Sequence, residues 1–391
     1  MRSKTGMKAM RVLVDCTQIS RLKAGVGVYA QNLLSELTQI DSDLSLFLLI
    51  QDDDPDLDFN QYPNVKLIRF NAKIFRKLPF RFLLEQLFIP LLAIKYKIQV
   101  IHSLHYSFPL APMSAKKIVT IHDMTMFLIP ETHLRFKVYY FRFFIRASIW
   151  LVDELIFVSR STQNDYLRYF SKPCASCHIV PLGKSPLFRS DLDPLSISHV
   201  INTYGLKRPY ILYIGTIEPR KNLIRLVEAF SELAVTYPDH VLVIAGMKGW
   251  MYEDLFELVR KFDMEKRVIF TGFVLDKDKP FLIKGCEIFV YPSLYEGFGL
   301  PLLEALSCGV PALTSNVSSL PEIAGDAALL VDPTSEAEIA DGLNRLLGDR
   351  VFQDMFSKKA IKQASGFTWS KTAQHTLVVY QKAIQDASYN S

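Results

Sequence analysis

Tyr291-Pro-Ser-Leu-Tyr-Glu-Gly-Phe-Gly-Leu-Pro-Leu-Leu-Glu-Ala305 is the stretch on which the reading of the whole chain turns. Before it, Cys286-Glu-Ile-Phe-Val-Tyr291 is a short β-branched and aromatic run that predicts a buried strand. Pro292, Gly297 and Gly299 then break the backbone into a loop. Pro301 stands where a helix can begin, its missing N–H costing nothing at the first position. The N–H groups of such a first turn, around Phe298 to Leu300, carry the positive end of the helix dipole and suit a phosphate.

Two carboxylates bracket this strand, loop and helix start. Glu296 lies in the loop and Glu304 one turn inside the helix. A carboxylate near a helix start is electrostatically favoured, and when ionised it can accept from two neighbouring hydroxyls. Glu304 therefore reads as a ribose clamp and Glu296 as a ligand for a sugar hydroxyl beside the phosphates. Either residue alone would read as a solvated glutamate; the Gly297-Phe298-Gly299 loop between them shifts the balance toward binding.

Glu-x7-Glu around Gly-Phe-Gly-Leu-Pro resembles the signature of retaining GT-B glycosyltransferases of glycosyltransferase family 4. The resemblance implies an α/β fold of two facing Rossmann-like domains with parallel sheets and a deep cleft between them. It also implies a nucleotide-sugar donor held mainly by the C-terminal domain, with no obligatory metal or other cofactor.

The bulk properties agree with a folded, two-domain chain. At 391 residues the chain exceeds one ordinary core, and 49% hydrophobic with 22% charged residues excludes a disordered protein. Mean hydropathy is +0.15. The longest apolar run, 82–94, is interrupted by Glu85 and Pro90, so no membrane span is expected. Residues 1–8 precede no apolar h-region, and no secretory signal is expected. The cysteines Cys16, Cys174, Cys177, Cys286 and Cys308 are scattered and odd in number, which points to a reducing compartment. Cys174 and Cys177 form C-x-x-C, but without a second ligand pair they read as loop thiols rather than a zinc site.

The net charge of +5 is unevenly placed. Lys73, Arg76, Lys77, Arg81, Lys95 and Lys97 face only Glu85 within 73–97. Arg135, Lys137, Arg142 and Arg146 meet no acid within 134–150, where Phe136, Tyr139, Tyr140, Phe141, Phe143, Phe144 and Trp150 alternate with them. Cationic and aromatic side chains together suit an anionic leaflet. A core-facing helix with a basic outer face ranks second, and single-stranded nucleic acid last, since no nucleic-acid motif accompanies the stretches.

Along the chain, Met10–Asp15 predicts a strand, followed by Gly25-Val-Gly27-Val-Tyr-Ala30 and a helix over 31–40. Gly25-x-Gly27-x-x-Ala30 matches a dinucleotide fingerprint, but residues 16–24 separate it from the strand it should follow. The resemblance instead implies that Gly25 and Gly27 lie across the cleft near donor phosphates and acceptor. Asp52-Asp53-Asp54 reads as a solvated acidic turn rather than a metal-binding Asp-x-Asp. Strand Lys117–Ile121 delivers His122 and Asp123 at its carboxyl end, where ligands of open α/β sheets bind. By resemblance His122 positions the transferred sugar. His178–Gly183 reads as a closing turn.

In the second half, strand 210–215 leads to Thr216-Ile-Glu-Pro-Arg-Lys-Asn222, with Gly215 and Thr216 as donor-side contacts. Cations at a helix start oppose its dipole, and a bound anion relieves that. The resemblance places diphosphate-binding Arg and Lys in this loop: Lys221 aligns, while Arg220 is displaced, with Thr216 standing where many members carry arginine. Gly246-Met-Lys-Gly249 is a further phosphate- or ribose-side loop, and by resemblance the backbone near Val274 meets the base. The expected division is an acceptor-binding domain over 1–190, a linker over 191–208, a donor-binding domain over 209–370, and a final helix over 371–391 that crosses back.

The functional expectation is retaining hexosyl transfer from a nucleotide sugar, GDP-mannose favoured, to a lipid-linked saccharide, in surface polysaccharide synthesis. The catalytic set is Glu296, His122, Lys221 and Arg220; the donor contacts add Gly25, Gly27, Gly215, Thr216, Gly246, Val274, Gly297, Phe298, Gly299, Leu300 and Glu304. The enzyme is expected in the cytoplasm, peripheral on the inner face of the membrane, with no nucleic-acid partner. A UDP-sugar donor is one alternative. An NAD-dependent oxidoreductase using Gly25–Ala30, with Asp52 near the expected acidic position, is a remoter one; a nonenzymatic polyanion-binding module leaves Glu296 and Glu304 without purpose.

Overall fold

The structure is a computed structural model that describes residues 9–19, 25–40, 43–171 and 173–389. The opening residues 1–8, on which the signal-peptide reading rests, lie outside the described part. Two compact units divide the chain, one of Met1–Gly183 with Trp369–Ser391 and one of Lys184–Thr368.

In the first unit, seven strands form one parallel sheet: β1 (Met10–Asp15), β2 (Leu44–Gln51), β3 (Val65–Phe70), β4 (Val100–Ser103), β5 (Lys116–Ile121), β6 (Glu154–Phe157) and β7 (Ser176–Ile179). Their order is β3-β2-β1-β4-β5-β6-β7. Parallel strands need crossovers that cover both faces with helices. The strands are accordingly apolar along their length, with Val12, Leu13, Val14, Val100 and Ile101 fully buried. Helix Trp369–Tyr389 packs on helix Val26–Gln39 and on β4 and β5, and Tyr380 Oη lies 2.7 Å from His102 Nδ1.

The second unit repeats the plan with β8 (Tyr210–Ile214), β9 (Val241–Ala245), β10 (Val268–Gly272), β11 (Ile288–Tyr291), β12 (Ala312–Ser315) and β13 (Leu329–Val331). The order is β10-β9-β8-β11-β12-β13, again parallel throughout. Each unit is thus a doubly wound, Rossmann-like α/β domain. The order reverses between β1 and β4 and between β8 and β11, and such reversals open a crevice at the strands' carboxyl ends. Among the described residues no helix is long and apolar enough to cross a membrane.

Several boundaries differ from the sequence reading. The units part at Gly183/Lys184 and at Thr368/Trp369, not at 190 and 370. The expected linker over 191–208 contains helix Pro194–Thr203, packed inside the second unit on helix Lys279–Gly285. Asp193 starts that helix, its carboxylate accepting from Ser196 N at 2.8 Å with Pro194 in the first turn. The helix after the first glycine loop begins at Val26, inside the loop, rather than at 31. His178 lies in β7, whose pairing with β6 overrides the turn reading.

At the crevice of the second unit the glycines have a steric reason. Gly215 N donates to Ala245 O and Gly246 N to Gly272 O, both at 2.9 Å, which draws the three strand ends close. A Cβ on Gly246 would overlap the carbonyl oxygen of Gly215. Because the colliding atom is backbone, Gly246→Ala is expected to cost more than about 3 kcal/mol, the upper end of ordinary overpacking. Thermal and denaturant unfolding measure it; a loss below about 1 kcal/mol would mean that the two loops separate freely.

Candidate active site

The carboxyl ends of β8 and β11 bring the sequence-predicted charges together. After β8, the short turn Pro219–Lys221 presents Arg220 and Lys221, and Asn222 in the left-handed conformation hands the chain to helix Leu223–Leu233. Asn222 is buried, and its amide donates to Pro292 O at 3.1 Å and Pro333 O at 2.7 Å, which ties this turn to the loop after β11. Leu294 N donates to Arg220 O at 2.9 Å from the other side.

Glu296 is the hub. Lys221 Nζ donates to its Oε1 at 2.6 Å, and Arg220 Nη1 to its Oε2 at 2.8 Å. Arg220 also donates to Tyr295 O at 2.7 Å and to the buried Glu218 carboxylate at 2.6 Å. Lys221 donates further to Tyr291 Oη at 2.9 Å, and Tyr213 stacks on Tyr291 with ring centroids 5.8 Å apart. Glu296 is 8% exposed and Lys221 6%. Burial alone would raise the Glu296 carboxyl, but the Arg220 guanidinium and the Lys221 ammonium override it and hold it at about 2. Burial, with the neighbouring Arg220 charge, pulls Lys221 below its ordinary value.

Beyond Glu296 the loop enters helix Leu300–Ser307 through Gly299 at φ +105°. That left-handed φ, and Leu320 packed 2.8 Å from where a Cβ would stand, reserve the position for glycine. Pro301 is the second helical residue, not the first. Ser319 Oγ fixes the loop from below, 3.0 Å from Glu296 O and 2.7 Å from Phe298 O. Among the described residues the N–H groups of Gly299 and Leu300 make no hydrogen bond, as a helix start requires of a phosphate cradle. Gly297 joins this loop, and Phe298 is buried edge-to-face on Phe367.

Glu304 faces elsewhere. Its electrostatic neighbours are Lys279 and Asp276, on the segment that also holds the buried Val274, and burial pushes its carboxyl up to about 7. Gly215, Thr216 and Gly246 line the neighbouring strand ends, where Gly249 N donates to Ile217 O at 3.0 Å and zips the two loops together.

Gly25, Gly27 and His122 belong to the first unit. His122 Nε2 lies 2.8 Å from Leu104 O and must therefore carry the proton, which leaves Nδ1 as an acceptor. Burial lowers its pKa, so the ring is neutral near neutrality. Tyr29, one turn after Gly25, meets His122 edge-on at 5.0 Å. Asp123 caps the turn Thr125–Leu128 through Thr125 N and Oγ1. Asp52 accepts from Ala72 N at 2.9 Å and Asn71 at 3.2 Å, and Asp53 pairs with Arg76. Cys174 and Cys177 are free thiols. Among the described residues no group of three or more His, Cys, Asp or Glu could hold a metal ion.

Sequence reasoning missed Glu218, Tyr291, Tyr213, Asn222 and Ser319. Only Glu218, two residues before Arg220, left a local trace; the others matter through contacts between distant loops.

Residues 24–184 match the family model described as Glycosyltransferase Family 4, and residues 198–363 the model described as Glycosyl transferases group 1. The O-antigen chain mannosyltransferase B of Escherichia coli is 34% identical over 294 residues, 73% of this chain and 75% of that protein. The serotype-specific mannosyltransferase WbdA of Escherichia coli is 29% identical over 292 residues, 72% of this chain but 35% of WbdA, so the chain spans about a third of that longer relative. Among solved structures, sucrose-phosphate synthase from Thermosynechococcus elongatus is similar with a TM-score of 0.77 at 19% identity, over 96% of this chain and 100% of that one, a likeness of fold alone.

Removing the hub carboxylate leaves the buried Lys221 without a carboxylate partner and the partly exposed Arg220 with Glu218 alone. Glu296→Gln is expected to destabilise the protein by about 3–5 kcal/mol at neutral pH, read by denaturant unfolding. Because the folded carboxyl titrates at about 2 and an ordinary one at 4.5, its stabilisation is complete above about pH 4.5 and fades toward pH 2. The wild-type advantage over Glu296→Gln should shrink across that window; a constant gap would deny Glu296 the ion pairs.

Proposed function

The chain belongs to the glycosyltransferases of family 4 and group 1, and on that premise we propose that it moves mannose from GDP-mannose, with retention, to a lipid-linked saccharide. The observation that carries this reading is the pair Arg220 and the buried Lys221, both held on Glu296 where the strand order reverses.

Glycosyl transfer leaves negative charge on the departing diphosphate. Lys221, Arg220 and the N–H groups around Phe298–Leu300 are preorganised donors for that charge. Glu296 holds the place of the anion, so an arriving diphosphate exchanges with it and frees the carboxylate for a hydroxyl of the transferred sugar. Glu304 takes the ribose, and Val274 borders the base. The departing phosphate accepts the acceptor's proton on the same face, and no side-chain base is required. Mannose is favoured because the Escherichia coli relatives are named for mannosyl transfer. An oxidoreductase or a nonenzymatic polyanion-binding module does not fit membership of a transferase family.

A membrane-surface location is part of the same reading. In the first unit Phe80, Phe82, Leu91, Ile94, Phe136, Tyr139, Phe143 and Trp150 are all exposed, amid the basic residues of 73–97 and 134–150. Helix Arg135–Leu151 faces the core through Val138, Phe144 and Ile145, but its outer face is aromatic as well as basic, and an anionic leaflet accepts both side-chain classes. We place the enzyme on the cytoplasmic leaflet.

Lys221→Ala is expected to lower turnover about 10²–10³-fold, with GDP-mannose preferred in a panel of GDP- and UDP-sugars. Near-normal turnover would remove Lys221 from the mechanism, and preference for a UDP-sugar would replace the donor. If ionised Glu304 grips ribose, GDP affinity rises as pH passes about 7, and Glu304→Gln binds more weakly with a flat pH profile in titration calorimetry. Cosedimentation with anionic vesicles should fall as salt rises; a protein that stays in the supernatant at low salt refutes the leaflet placement.

A further inference from the structure

Lys221 has two hydrogen-bond partners among the described residues, and they differ in kind. One is the Glu296 carboxylate at 2.6 Å, the other the Tyr291 hydroxyl oxygen at 2.9 Å. Arg220 is placed differently, since beside Glu296 it also holds the Glu218 carboxylate at 2.6 Å. When a diphosphate displaces Glu296, Arg220 therefore keeps a negative partner and Lys221 a neutral one. The charge left uncancelled by the protein is then that of Lys221. A lysine ammonium sits on a flexible four-carbon stem, so whatever still holds it decides where that charge stands.

Tyr291 is built to hold it. The residue ends β11 and is 1% exposed. Its ring stacks on Tyr213 of β8 with centroids 5.8 Å apart, and on Phe289 of its own strand at 6.1 Å. Its backbone carbonyl accepts from Thr314 Oγ1 of β12 at 2.8 Å. The strands on both sides of β11 thus fix the hydroxyl before any ligand arrives.

Ring packing alone does not call for a tyrosine here. Phe289, two residues earlier on the same face of the strand, joins the same stack with no hydroxyl. What Tyr291 adds is one oxygen, buried where an unpaired polar group is costly, and that oxygen accepts from Lys221.

We propose that Tyr291 is a positioning residue for diphosphate binding: its hydroxyl keeps the Lys221 ammonium in place after Glu296 has been displaced, and does so without neutralising it. The proposal rests on the reading of Arg220 and Lys221 as the diphosphate site. To that reading it adds a division of labour, in which Arg220 stays paired with Glu218 and Lys221 delivers its charge to the anion.

Titration calorimetry on the intact chain with inorganic pyrophosphate tests it. Tyr291→Phe deletes the hydroxyl and keeps the ring stack, and should weaken pyrophosphate binding about tenfold, the lower end for a hydrogen bond to a charged group. In a Lys221→Met background the same substitution should change the affinity by less than about twofold, because Tyr291 acts through Lys221 alone. An equal loss in both backgrounds would make Tyr291 a packing residue and overturn the proposal. Unchanged binding in Tyr291→Phe, or no pyrophosphate binding by the wild type, overturns it as well.

The alkaline fall in affinity gives a second readout should Lys221→Met melt early by circular dichroism or bind too weakly to titrate. The charged and titratable groups around Lys221 are Arg220, Glu218 and Glu296, with Tyr291 and, stacked on it, Tyr213. Arginine and carboxylates keep their charge through the alkaline range, and burial drives both tyrosines well above their ordinary value. Lys221 is therefore the group that titrates. A hydroxyl oxygen that accepts from an ammonium favours the charged form, so without it the charge is lost at lower pH. The fall should begin at lower pH in Tyr291→Phe than in the wild type; pyrophosphate's own protonation is common to both and cancels in the comparison. An unshifted fall overturns the proposal. The transferase reading fails separately, as absent sugar transfer from any GDP- or UDP-sugar with the pyrophosphate results intact.

Discussion

Around Glu296 the second unit solves an electrostatic problem. Two cations, Arg220 and Lys221, and two carboxylates, Glu218 and Glu296, are held within hydrogen-bonding distance of one another. Withdrawing ions from water costs several kcal/mol each, and only close, well-aligned partners offset it. The four charges cancel, yet they come from two loops more than seventy residues apart. The arrangement therefore exists only while β8 and β11 stay adjacent and their loops stay clipped. Asn222 on Pro292 O, Leu294 N on Arg220 O, and Ser319 under the glycine loop perform that clipping.

Adjacency of β8 and β11 is itself a consequence of how parallel sheets are wound. The chain lays down β8, β9 and β10 outward, then crosses back to begin the other half beside β8. Two loops leave the sheet there in opposite directions, and no crossover helix fills the space between them. The first unit obeys the same rule at β1 and β4 with different side chains. One reversal point gathers cations on a carboxylate, which suits an anion; near the other, Glu85 gathers Gln18, Arg81, Ser107 and Tyr140.

Legibility along the sequence tracked how local the cause was. Ile288–Tyr291 could be read as a buried strand because its residues are apolar in any register. The basic aromatic stretches were legible as composition, but not which faces they show: helix Arg135–Leu151 buries Val138, Phe144 and Ile145 and leaves Phe136, Tyr139 and Phe143 outside. Residues 191–208 read as a linker, whereas Asp193 and Pro194 together are a helix start, and packing on helix Lys279–Gly285 made that signal decisive. At 25–30 the glycines argued for a loop, but packing of Tyr29 and Ala30 into the core extended the helix through it.

Through the family resemblance of its Glu-x7-Glu motif the sequence pointed to the parallel α/β class. By itself it determined the glycine loop that must precede helix Leu300–Ser307 and the presence of Glu296, Glu304, Arg220 and Lys221 near strand ends. These follow from residue type and short spacing, because backbone freedom, strand burial and helix dipoles act over a few residues. Only the tertiary structure decided that Glu296 turns toward Arg220 and Lys221 while Glu304 turns toward Asp276 and Lys279. It alone decided that Tyr291 receives Lys221, and that Glu85 gathers Gln18, Arg81, Ser107 and Tyr140. Such partners lie tens of residues apart, and what selects them is the cost of burying an unpaired polar group, a quantity that has no value until the chain has closed around it.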